Sequence, residues 1–196
     1  MPHAAVVGLG IAAGVIQLAG NIPYVRDIFR GKTKPERATW WIWTLLNVVS
    51  LGAQIGAHAT WSLLMTVGQG LMTAFIAVMS LHHGYGKFQR RDYISAVAAV
   101  LGVGLWWWLQ SPLAAIIVVL LVDASGFWLT IAKTWRAPRT ETLIAWQLTA
   151  LSGGLGVLAV GRLDATQLLY PAYIMAGNTL MALVIVRRRH RNRRPR

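Results

Sequence analysis

With 196 residues, 56% of them hydrophobic, and a mean hydropathy of +0.51, the chain is too oily for a soluble domain of its length and belongs in a bilayer. Its net charge of +13 raises nucleic acid as a partner, but the charge is sorted along the chain in a way that membrane topology explains, so no nucleic-acid role is expected. The absence of cysteine excludes disulfides, thiolate chemistry and zinc–thiolate sites.

Seven apolar stretches match or approach the length that a hydrocarbon core about 30 Å thick requires. They run over about 4–26, 38–57, 60–82, 93–109, 112–133, 142–160 and 166–186. None alternates polar with apolar residues as barrel strands do, so helices are expected. Met1-Pro2-His3 carries no positive n-region, and the first stretch is expected to be a membrane helix and not a cleaved signal. Gly31 and Pro35 break the chain after the first stretch, Gly84 and Gly86 after the third, and Pro138 after the fifth. These same connections, with the tail after Val186, hold all but one of the 19 basic residues; Arg162 alone lies in an alternate connection. The positive-inside rule then places the N-terminus outside and the C-terminus in the cytoplasm. Anionic lipid headgroups are the expected contact of the tail, through Arg187, Arg188, Arg189, Arg193 and Arg194. Most of the ten tryptophans fall at the two boundaries, as an interfacial belt would have them.

The chain also repeats itself. A shift of 103 positions lays Leu18, Ile28, Pro35, Thr39, Trp43 and Leu45 on Leu121, Ile131, Pro138, Thr142, Trp146 and Leu148. A shift of 109 lays Gly68, Gln69, Leu71 and Met72 on Gly177, Asn178, Leu180 and Met181. Three helices invert the chain, so two copies in parallel need one further span between them. The expected organisation is therefore all-α, with seven transmembrane helices as two parallel three-helix repeats joined by a linker helix: 1–83, a cytoplasmic loop and linker at 84–111, 112–187, and a basic tail at 188–196. Repeats of this kind recur in transporters.

Polar side chains in hydrocarbon are costly, so their depth is informative. Gln17, Asn47, Gln69, Asp123 and Asn178 all fall near the middle of their stretches. Asn and Gln offer donors and acceptors together, which suits a polyhydroxylated or zwitterionic solute; bonding between helices is the competing use. Trp43 and Trp146, matched and one turn deeper than the belt, join the candidate solute-binding set. Asp123 is the only acid at mid-depth, and no Lys or Arg is expected inside a helix to pair with it. Because hydrocarbon penalises the charged carboxylate, Asp123 is the candidate proton-coupling site. Pro23 and its counterpart Gly126 are candidate hinges toward the cytoplasmic end.

The run Gly20-Asn21-Ile22-Pro23-Tyr24-Val25-Arg26-Asp27-Ile28, the basic turn Lys32-Thr33-Lys34 and Leu45-Leu46-Asn47 together resemble the PQ-loop superfamily, in particular its SWEET-like seven-helix transporters. The resemblance spans nearly the whole chain and implies a 3+1+3 helix plan. It also implies solute-binding roles for Gln69 and Asn178, which stand where SWEETs place pocket asparagines. Leu51 and Gly154 stand where a SWEET pocket has tryptophans, so the solute is left open between sugar and amino-acid-like molecules. The expectation is an integral protein of a plasma or inner membrane that moves a small polar solute by alternating access around a midplane site, by uniport or with proton coupling. A receptor on the same fold, binding a peptide or lipid without moving it, is the alternative. No cofactor, metal site or enzymatic activity is expected: His82 and His83 are adjacent, which is poor chelating spacing, and no Ser–His–Asp set shares a depth. Oligomeric state, a homo-oligomer included, is left open.

Overall fold

The computed structural model describes residues 3–56, 61–87, 112–161 and 165–191, with scattered positions from 89 to 108. These residues are organised as helices: α1 (His3–Phe29), α2 (Arg37–Gly56), α3 (Trp61–His83), α4 (Pro112–Arg136), a 3₁₀ turn (Pro138–Thr140), α5 (Leu143–Ala159) and α6 (Ala165–Arg191). The stretch expected at 93–109 lies largely outside the described residues, as do Arg162 and the end of the basic tail from 192. Among the described residues, three helices are long and apolar enough to cross a membrane, His3–Phe29, Ile117–Arg136 and Leu168–Arg191, and α5 is a shorter apolar helix.

The outward faces carry the membrane signature. On α1, Val7, Ile11, Val15, Leu18 and Ile22 recur at helical spacing and are all exposed, Ile11 by 63%, while Ala13, Gly20, Tyr24 and Ile28 on the other side are buried. A soluble helix would turn the large aliphatic stripe inward and leave polar residues outside. Here the aliphatic stripe is outside, as on a helix whose remaining surface lipid covers.

Helix ends follow local chemistry. Gly31 adopts φ +66°, open to glycine at no steric cost, and lets its N–H reach the Ile28 carbonyl at 2.9 Å while the Lys32 N–H reaches that of Asp27 at 2.9 Å. These two bonds are the Schellman pair that terminates α1. At the start of α2, Glu36 Oε2 accepts the Thr39 N–H at 2.8 Å, capping one of the donors that a helix start leaves over. Pro23 does not interrupt α1, which runs through it, and Pro171 lies inside α6 in the same manner.

The chain forms two compact units, each drawing helices from both copies of the sequence repeat. The first comprises residues 1–33 and 134–196, with α5 packed on both α1 and α6. Small residues make those contacts: Gly20 of α1 lies against Leu148 and Thr149 of α5, and Ser152 Oγ donates to the Ala13 carbonyl at 2.8 Å. Gly153 of α5 lies directly on the backbone of α6, where an added Cβ would sit 2.5 Å from Met175 N and 3.0 Å from the Pro171 carbonyl oxygen.

The second unit comprises residues 34–133, with α2 packed on α3 and a core of Ala38, Ile42, Leu46, Val122 and Leu129 joining α2 to α4. One expectation fails in this unit. A lysine does lie inside a helix: α4 continues to Arg136, and Lys133 in its last turn is fully buried. Its ammonium donates to the Lys34 carbonyl at 2.6 Å and sits 6.0 Å from the centroid of the Tyr85 ring, so it stays hydrogen-bonded without reaching water.

Candidate functional site

The residues expected at mid-depth fall into two sets, one in each unit. In the second unit α2 and α3 meet at Asn47: its Nδ2 donates to the Trp43 carbonyl at 2.8 Å and to Thr73 Oγ1 at 3.4 Å, and its Cβ lies 3.5 Å from where a Cβ on Gly70 would be. Gln69, one residue before Gly70, has its Oε1 buried with no hydrogen-bond partner. Such an atom is unusual, because a buried acceptor left without a donor costs about 1–3 kcal/mol. Trp43 is half-buried and packs edge-on against Trp40, with centroids 5.0 Å apart. Asp123 is half-buried on α4. Gly126, one turn further, is buried and gives its carbonyl to Thr39 Oγ1 at 2.6 Å, with Ile42 beside it.

In the first unit Asn178 is buried, and its Nδ2 donates to the Ile174 carbonyl at 2.8 Å. Gln17 is half-buried on α1 and accepts Asn21 Nδ2 at its backbone carbonyl at 3.4 Å. Trp146 has its indole N–H on Glu141 Oε2 at 2.9 Å, and its ring meets the Tyr24 ring edge-on at 6.5 Å.

Each unit also holds a polar cluster, not foreseen from the sequence, near the start of one of its helices. In the first unit Glu141, 2% exposed, takes Trp146 on one carboxylate oxygen and the Tyr24 hydroxyl on the other at 3.5 Å. Arg189 Nη2 donates to the Glu141 carbonyl at 2.5 Å and its Nε to that of Pro138 at 3.1 Å, tying α6 to the 3₁₀ turn. Thr142 donates to Asp27 Oδ2 at 3.1 Å and its hydroxyl also bonds that of Thr33, which fastens the start of α5 to the end of α1. In the second unit Glu36, 4% exposed, shares the Thr39 hydroxyl at 2.9 Å with the Gly126 carbonyl, and Thr130 donates to Thr39 Oγ1 at 2.9 Å. Thr39 and Thr142 are a matched pair of the 103-residue shift, and each belongs to a buried acid-and-hydroxyl cluster.

The signal for these clusters was present. The chain has only six acidic residues, and two of them, Glu36 and Glu141, stand within three positions of the matched threonines at the mouth of an apolar helix. Acids so placed invite burial against the helix start, where unpaired N–H groups favour negative charge. Comparison with protein-family models, curated proteins and solved structures gives no match for this chain.

Proposed function

We propose that this protein is a membrane transporter of a small polar solute, a sugar or an amino-acid-like molecule, working by alternating access in a plasma or inner membrane. The reading takes seven spans in two parallel repeats with a linker, N-terminus outside, and hinges at Pro23 and Gly126. The observation that carries it is Gln69: a buried amide oxygen without a hydrogen-bond partner, beside the place where Asn47 and Thr73 meet. In an apolar helix pair such an acceptor carries a standing penalty that a leucine would not. A solute hydroxyl or ammonium is the donor that offsets it, and Asn47 supplies the complementary group. The mid-depth level of Gln17, Asp123 and Asn178, the internal repeat and the charge-sorted connections support the same reading.

Thermal-shift screening of the purified chain against sugars and amino acids identifies the solute to be used in proteoliposomes. Gln69→Leu is then expected to lower uptake at least tenfold while leaving thermal stability unchanged or higher, because it removes an unsatisfied polar group. Uptake at the wild-type rate in Gln69→Leu refutes the reading. Saturable binding without counterflow in the wild-type protein replaces it with the receptor alternative.

A further inference from the structure

The first unit holds a cavity of about 540 Å³ between the end of α1, the 3₁₀ turn, the start of α5 and the end of α6. Its lining mixes charged and hydroxyl side chains with the apolar Leu143 and Ile144. Lys32, Arg139 and Arg189 supply three cations, and Asp27 and Glu141 two carboxylates.

The two signs are used differently. Asp27 is engaged by Arg26 at 3.2 Å and by Thr142 at 3.1 Å, and Glu141 by Trp146 and Tyr24, so both carboxylates are already supplied with donors. Lys32 and Arg139 are exposed, and neither side chain has a hydrogen-bond or ion-pair partner among the described residues. The cavity is therefore electrostatically unbalanced toward an anion.

The backbone leans the same way. Thr142 occupies the N-cap position of α5 but makes no cap bond, because its hydroxyl is drawn to Asp27 and Thr33. Leu143 and Ile144, the first residues of that helix, line the cavity, so the positive end of α5 faces it without a side-chain cap.

We propose that this cavity binds a phosphate ester bearing hydroxyl groups, of the glycerol phosphate type. Lys32 and Arg139 hold the phosphate, with Arg139 able to engage two oxygens at once. A bare phosphate fills little of a volume in the range of small-molecule sites. The Thr140 hydroxyl at the wall, which already donates to the Ala137 carbonyl at 2.7 Å, can still accept from a hydroxyl of a polyol substituent. Two sources share this chemistry, an anionic phospholipid headgroup and a soluble ester. The inference does not depend on the transport reading.

The test is isothermal titration of the full chain in nonionic detergent with glycerol 3-phosphate, dihexanoyl phosphatidylglycerol and, as control, dihexanoyl phosphatidylcholine. Saturable binding of either anionic probe is expected, at least tenfold weaker in the double variant K32A/R139A and unchanged in K87A/R90A, which removes two cations from the other unit. Phosphatidylglycerol alone binding assigns the cavity to a lipid headgroup, and binding of glycerol 3-phosphate assigns it to a soluble ester. The proposal is overturned if neither anionic probe binds, if phosphatidylcholine binds as tightly, if K32A/R139A binds normally, or if K87A/R90A weakens binding equally. Neither double variant breaks a side-chain hydrogen bond in the described structure, so both should fold.

Discussion

Thr39 shows how much one hydroxyl holds in a nearly dry helix bundle. It stands among the Glu36 carboxylate, the Gly126 carbonyl and the Thr130 hydroxyl, all within 2.9 Å. Thr39→Val keeps the shape and removes the hydroxyl, leaving a buried carboxylate and a carbonyl short of a donor; thermal unfolding in detergent should show a loss of about 1–3 kcal/mol. Thr39→Ser, which retains the oxygen, should lose much less. Asp123 makes a different kind of claim, about function and not stability. Asp123→Asn should abolish the pH dependence of uptake in proteoliposomes while sparing solute binding, and an unchanged pH profile removes proton coupling through this residue.

Helix contacts turn on whether a glycine touches backbone or side chain. An added methyl at Gly153 meets Met175 N at 2.5 Å, and backbone cannot yield without moving α6 as a whole. Gly153→Ala should therefore cost about 1–3 kcal/mol, read as a lower unfolding temperature. Gly126 is the contrast: its nearest neighbour to such a methyl is Ile42 Cγ2 at 3.5 Å, an ordinary contact. Gly126→Ala should leave stability within about 1 kcal/mol of wild type, since alanine also favours the helix by about that amount. A fall in uptake in that stable variant would then report the hinge, and normal uptake would remove it. Which glycine of α5 lies against bare backbone is not legible in the sequence, because that depends on how α5 and α6 cross.

For the whole molecule, the sorting of lysine and arginine predicts an N-out, C-in orientation, and a chain without cysteine makes that prediction directly measurable. In right-side-out vesicles, Lys87→Cys should be shielded from a membrane-impermeant maleimide and Arg162→Cys should react. The reverse labelling would invert the N-out, C-in topology.

The sequence by itself determined the helical, apolar character of the chain and, for the described helices, boundaries within about five residues. These rest on local quantities: apolar run length, and glycine and proline at breaks. Only the tertiary structure decided which polar groups are satisfied. Trp146, an expected pocket residue, has its N–H on Glu141, whereas Gln69 keeps an acceptor open. Lys133 looks like an ordinary helix-end charge in the sequence, yet it is fully buried. Whether a polar atom finds a partner depends on residues more than a hundred positions away, such as Tyr24 for Glu141, and no local pattern carries that information.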